Sequence, residues 1–278
     1  MRNFILQNIV KKLVLFFKKF KFGVYILDFV LKVLMESRRK IIHNNIEFEF
    51  STPNRLCDYR AISFSEKEPE TLEFIDKIEL GAVFWDIGAN IGLYSVYAAK
   101  TRSCVVFAFE PSVFNLEFLA RNIYMNNLSN NIVIVPLALS ENINIASFRM
   151  TTTEWGGALS SFKHDFGYDG KNINKVFEYN MPGINLDNIQ AGLNIPKPDY
   201  IKMDVDGIEH FILKGGKKIL ENVKGILKEV NDNFIEQASG CSILLKEAGL
   251  KLSEKKHAAF LDDVDSNFNN CYNQIWVR

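Results

Sequence analysis

No two of the four cysteines, Cys57, Cys104, Cys241 and Cys271, stand at CxxC spacing, which excludes a zinc ribbon and a dense disulfide framework. Four free thiols suit a reducing cytosol, so the chain is expected to be cytoplasmic. Nor does any apolar run approach the roughly 18 residues that a membrane span needs. Lys11, Lys12, Lys18, Lys19, Lys21, Asp28 and Lys32 interrupt the N-terminal apolar stretch, and no small-residue cleavage site follows it. The 278 residues carry no net charge, which removes any whole-chain case for nucleic-acid binding. Disordered, collagen-like and low-complexity classes are excluded by a content of 47% hydrophobic and 24% charged residues, with 23 Phe. What is there can bury the core of one large α/β domain with an appendage, or of two small domains.

The zero net charge hides an asymmetry. Residues 1–43 hold ten Lys/Arg against Asp28 and Glu36, so this stretch carries +8 and the remainder −8. On a helical wheel Leu6, Ile9, Val10, Leu13, Phe16, Phe17 and Phe20 fall within an arc of about 120°, opposite Lys11, Lys12, Lys18 and Lys19. This predicts an amphipathic helix stopped near Gly23. A second apolar stretch, with Leu27, Val30, Leu31 and Leu34, runs to Arg38, Arg39 and Lys40. Residues 1–45 are thus expected to form a basic amphipathic helical extension. Two roles stand open for it: packing on the body or on a second copy in a homo-oligomer, or lying in the interface of an anionic membrane through residues 1–22.

From residue 82 short β-branched or aromatic runs alternate with helical patterns, the rhythm of a parallel sheet covered on both faces. The expected strands are Ala82–Asp86, Val105–Phe109, Ile132–Leu137, Tyr200–Asp204, Gly225–Val230 and Asn273–Arg278. The expected helices are Leu93–Lys100, Ser112–Asn126 opened by Pro111, Ile208–Leu220 and Cys241–Ala248. The fold class is α/β, a doubly wound, mostly parallel sheet. Residues 141–198 break the rhythm with an insertion rich in Asn, Gly and Thr, and insertions of that length are usually functional.

The first strand runs into Asp86-Ile87-Gly88-Ala89-Asn90-Ile91-Gly92, and a helix follows at once. Glycines there let the backbone approach a ligand at the helix N-terminus. A dinucleotide loop would be GxGxxG. Here Asn90 takes the middle position, and the acidic strand end suits a cationic or amino-bearing ligand better than a diphosphate. Glu110 ends the second strand, 24 residues after Asp86, where a carboxylate can accept both hydroxyls of a ribose. The alternative is that Asp86 and Glu110 are ordinary strand-end charges.

From Glu68 to Arg278 the sequence resembles the FkbM family of class I S-adenosylmethionine-dependent methyltransferases. The resemblance rests on Glu68-Pro69-Glu70, on Phe84 to Ser95, and on Ala108-Phe109-Glu110-Pro111 with Asn115, Asn122 and Asn126. It continues through Ala138-Leu139-Ser140, Asn185-Leu186-Asp187, and Ile201 to Glu209. In the last block Asp206 stands where the family usually has Glu, which keeps the charge and shortens the reach by one methylene. The resemblance implies a Rossmann-like methyltransferase domain over 46–278 that moves a methyl group from S-adenosylmethionine to a hydroxyl, often on a sugar or a polyketide. It implies that Asp86, Gly88, Ala89, Asn90 and Gly92 line the methionine and ribose part of the donor. Glu110 would then hold the ribose hydroxyls, and Ala138 to Ser140 would border the adenine.

An alcohol needs a positioned base, worth about 10²- to 10⁴-fold. Asp204 at the end of the fourth strand is the first candidate and Glu229 the second, since ligands in open α/β sheets bind outside those strand ends. His164 and His210 are further candidates. Asp204, Asp206, Glu209 and Glu229 could instead hold a hard divalent ion, but Glu209 belongs to another element and no metal is assigned. Trp155, followed by Gly156 and Gly157, is either a stacking wall for a sugar ring or the buried residue of a surface hairpin. The expected acceptor is a glycan or a small molecule. Nucleic acid is disfavoured by the acidic body. The rivals are a lipidic or protein acceptor, and a silent module that keeps the cofactor fold for binding.

Overall fold

The computed structural model describes residues 2–257 and 268–278, apart from the side chains of 2–4. The chain opens with helices α1 (Arg2–Phe17) and α2 (Lys21–Met35), a hairpin of β1 (Arg38–His43) and β2 (Ile46–Ser51), then α3 (Arg55–Ile62) and α4 (Pro69–Asp76). The first half of the body follows as β3 (Val83–Ile87), α5 (Leu93–Arg102), β4 (Val105–Phe109), α6 (Val113–Met125) and β5 (Ile132–Val135). The middle section holds β6 (Ala138–Leu139), β7 (Asn144–Met150), β8 (Ser161–Phe162), β9 (Phe177–Ile184) and α7 (Leu186–Leu193). The second half runs β10 (Tyr200–Met203), α8 (Glu209–Lys214), α9 (Lys217–Leu220), β11 (Gly225–Asn231), α10 (Ile235–Glu247), β12 (Lys251–Lys256) and β13 (Cys271–Val277).

The central sheet has the order β12-β13-β11-β10-β3-β4-β5. From β5 to β11 neighbouring strands are parallel, and β13 is antiparallel to both β11 and β12. The chain leaves β3 toward β4 and β5, then crosses back to β10 on the other side of β3. That reversal is the switch point at which such sheets open a crevice at their carboxyl ends. Side chains alternate across each strand. Trp85, Ile87, Phe107 and Phe109 therefore enter the core under α7 to α10, while Phe84, Val106 and Ala108 enter the one under α5 and α6. Being buried on both faces, the strands read as continuous apolar runs, and this is why the sequence marked them.

The structure differs from expectation at several places. Gly23 does not stop the first helix: α1 ends at Phe17 and Gly23 lies within α2. The expected helix over Ile208–Leu220 breaks into α8 and α9 at Gly215 and Gly216. A side chain at Gly215 would stand 2.8 Å from the carbonyl oxygens of Ser140 and Glu141. Pro111 precedes α6 rather than opening it, and Ser112 is the cap residue. The insertion over 141–198 supplies β7, β8 and β9 of a second sheet, β6-β9-β7-β8, and then α7. The β1–β2 hairpin crosses residue 45, and Phe48 and Phe50 of β2 are fully buried in the body. Among the described residues no helix is long and apolar enough to cross a membrane.

Candidate active site

At the carboxyl ends of β3, β4, β10 and β11 lies a cavity of about 450 Å³, a size ordinary for a small-molecule site. Its floor is the turn after β3. Gly88 adopts φ +82°, and a Cβ there would stand 1.9 Å from the carbonyl oxygen of Asp204, so no other residue lets the turn lie against β10. Asn90, also left-handed at φ +52°, donates its backbone N–H to Glu110 Oε2 at 2.7 Å and its side-chain amide to the carbonyl of Gly157 at 2.7 Å. At Gly92 a Cβ would reach within 2.4 Å of Leu119, so this glycine serves the close packing of α5 on α6. Ala89 is buried and lines the cavity; Gly92 does not line it.

Glu110 lines the cavity and is 5% exposed. Its oxygens accept the N–H groups of Asn90 and Ser112 at 2.7 and 2.8 Å. Burial pushes its carboxyl up to about 7, against the pull of those amide bonds. Asp86 behaves differently. Strand alternation turns it under α5 with Phe84, where it is fully buried, accepts the Ser95 hydroxyl at 2.6 Å and lies 3.7 Å from Lys202 Nζ. It does not line the cavity, so the expected ligand-facing role for Asp86 is corrected to support from behind the wall. Ala138 lines the cavity with Leu137 and Leu139, but Ser140 does not; its hydroxyl donates to the carbonyl of Asn142 at 2.6 Å.

Asp204, Asp206 and Glu229 all line the cavity, and one carboxylate oxygen of each lies within 4.8 Å of the others. Asp204 is ion-paired with Lys202 at 3.3 Å. Asp206 accepts the N–H groups of Leu159 and Ser160 at 2.7 and 3.2 Å. Burial, then Asp204 and Glu209, push Asp206 up to about 7. Burial, then the neighbouring carboxylates Asp204, Asp206 and Glu209, raise Glu229 well above the usual carboxylate range. Glu209 lies outside the group of three, accepting N–H groups from Val205 and Gly207 and the amide of Gln237, and among the described residues it forms no ion pair with a lysine.

The histidines do not join this group. His164 is stacked on Phe211 at 4.3 Å, and His210 is buried with neither ring nitrogen hydrogen-bonded; neither lines the cavity. Burial lowers the pKa of both rings, that of His210 to about 4. His164 is therefore withdrawn as a base. Trp155 packs against Phe118 at 5.1 Å, away from the cavity, and the wall is built instead by Gly157, Ala158, Leu159 and Ser160.

Three site residues escaped sequence reasoning. Lys202 is 2% exposed. Burial works against its charge, but Asp204, Asp86 and Glu68 outweigh that and raise its pKa. Burial alone would raise Glu68; Lys67 and Lys202 instead hold it at about 2. Asn115 donates to the Gly157 carbonyl at 3.0 Å and accepts the Gly156 N–H at 3.0 Å, fixing the wall. A lysine inside the buried strand Ile201-Lys202-Met203-Asp204 was the available signal, because such a charge requires partners.

The description Methyltransferase FkbM domain matches residues 86–268, well over half of the chain. The chain belongs to the FkbM methyltransferase family. Hexuronic acid methyltransferase AglP of Haloferax volcanii is 26% identical to it over 157 residues, or 56% of this chain and 59% of that protein. The match thus spans less than two thirds of the relative's length. A chain assigned as a SAM-dependent methyltransferase from Streptococcus mutans shares the fold with TM-score 0.52, at 13% identity, over 87% of this chain and 55% of its own. TYW2 of M. jannaschii in complex with AdoMet gives TM-score 0.43 at 15% identity, over 87% of each chain.

The methyl donor of the family is S-adenosylmethionine, and the cavity suits it. Six carboxylates line it (Glu68, Glu70, Glu110, Asp204, Asp206 and Glu229) against Arg60, Lys67 and Lys202, and a cationic sulfur would be favoured by, and would favour, the ionised forms of the raised ones. Glu110 keeps lone pairs beyond its amide bonds for a diol, and the apolar edge made by Leu137, Ala138, Leu139 and Phe109 can cover a flat base.

Proposed function

We propose that this FkbM methyltransferase methylates a hydroxyl oxygen of a sugar in a glycan or glycolipid, with Asp204 as the base. The observation that carries this reading is the group of three carboxylates, Asp204, Asp206 and Glu229, at the ends of β10 and β11 beside the Gly88–Asn90 turn. An acceptor carboxylate would bring another negative charge into this ring, whereas a hydroxyl can donate to it. The similarity to a hexuronic acid methyltransferase supports a sugar.

When bound, the donor supplies a methyl group on a cationic sulfur, and the main demand on the protein is alignment. Glu110 and the turn after β3 would hold the donor. Asp204 would take the hydroxyl proton as the oxygen–methyl bond forms and the sulfur–methyl bond breaks. Glu229 lies beside Asp204 in the same group of carboxylates, and Asp206 holds the 157–160 wall in place through the N–H groups of Leu159 and Ser160.

Asp204→Asn keeps the shape and removes the proton acceptor. Turnover is expected to fall by about 10²-fold or more with acceptor affinity little changed. Donor affinity is measured in parallel by calorimetry, because the substitution also removes a charge; a loss of turnover accounted for by lost donor binding would move the base elsewhere. A chelator is expected to leave activity unchanged. Its abolition, restored by a divalent ion, would make the three carboxylates metal ligands and end the base assignment.

A further inference from the structure

We infer that α1 and α2 form an anchor that lies in the surface of an anionic lipid bilayer. Seventeen large apolar side chains between Ile5 and Leu34 are exposed, Phe22 by 74%, and in α2 the buried residue is Gly23. Their combined surface is on the order of 1,500 Å², against the few hundred that a typical monomer shows as one patch. On a wheel the apolar arc of α2, from Tyr25 round to Met35, covers about 280°, with Lys21, Asp28 and Lys32 gathered in the remainder. So wide an arc cannot be covered by one neighbouring helix.

The two helices are a built unit. A Cβ at Gly23 would stand 2.1 Å from the carbonyl oxygen of Phe17, so the bend between α1 and α2 is tight enough to require glycine there. Phe16 and Phe20 close the turn edge to face at 5.2 Å. The body holds α2 at its C-terminal end, where Met35 packs against the buried cluster of Cys57, Ile91 and Phe118 that Trp155 also covers. Trp155 belongs to the segment that continues into the cavity wall, so the anchor is attached beside the site.

Charge selects the occupant. Between residues 5 and 35 the two helices and the turn between them carry six lysines against Asp28, while the basic residues that follow are engaged: Arg38 with Glu49, Arg39 with Asp58 and Lys40 with Glu47. A second copy laid on the apolar face would cover that face and leave the lysines on the opposite side unpaired. Anionic headgroups complement those lysines while acyl chains take the apolar arc. With 16 and 15 residues, the helices are too short to span and would lie in the interface. This inference stands apart from the acceptor reading, since an anchor serves any acceptor held at a membrane.

The test is sedimentation of the full chain with phosphatidylcholine vesicles, with and without phosphatidylglycerol. Binding should be at least about tenfold tighter with phosphatidylglycerol and weaken with salt. The variant combining Lys11→Glu, Lys12→Glu, Lys18→Glu and Lys19→Glu should lose about tenfold or more while donor binding by calorimetry stays unchanged. Equal binding to both vesicles, indifference to charge reversal, or no binding would overturn the inference. So would a stable dimer that Phe16→Ser with Phe20→Ser splits into monomers, which would assign the face to a second copy.

Discussion

Asp86 and Glu110 carry the same charge at the ends of adjacent strands, and the two variants separate their roles. Asp86→Ala removes a partner from buried Lys202 and from Ser95, so it should destabilise the fold by about 3–5 kcal/mol, read by chemical denaturation. Glu110→Ala should leave the fold largely intact and weaken donor binding by about 10- to 100-fold in calorimetry, the worth of hydrogen bonds to a charged group. A wild-type denaturation midpoint for the first, or undiminished affinity for the second, contradicts this division. The raised carboxyls also give donor binding a pH dependence. Glu110 and Asp206 are each pushed up to about 7, first by burial. A cationic ligand favours their ionised forms, so binding releases protons and affinity should rise between about pH 6 and 8. Calorimetry in buffers of different ionisation enthalpy checks the sign; affinity that falls over that range contradicts it.

At the scale of elements, what the sequence disclosed follows burial. Val105–Phe109 was placed at its observed bounds because both faces of β4 are covered and its residues are apolar throughout. β12, Lys-Leu-Ser-Glu-Lys-Lys, is a largely exposed edge strand with no apolar run, and β7 and β9 pair in a second sheet with exposed Ile145 and Phe177, so neither showed a clean period. The turn from Gly88 to Gly92 was legible because only glycine or asparagine suits its left-handed positions. Which way Asp86 points was not, since one residue of strand register decides it. Likewise Asn90 and Asn115 meet Gly157, 67 and 42 residues away in the chain, and no local pattern announces that contact.

At the scale of the molecule, the acidic body and basic extension read from composition become a cavity rich in carboxylates and a pair of lysine-bearing apolar helices held beside its wall. The switch point between β3 and β10 gathers the charged groups: Asp86 and Lys202 stand opposite each other in register, and Asp204 follows at the strand end. Family, fold and donor chemistry meet in that one crevice, and the acceptor remains the proposal on which the account turns. The most direct test incubates the protein with S-adenosylmethionine labelled in its methyl group and glycans extracted from cells lacking this gene, then follows the label by mass spectrometry. The account predicts label in a sugar as an alkali-stable methyl ether, lost with Asp204→Asn. Label released by alkali as an ester, or found in protein or nucleic acid instead of glycan, would contradict it.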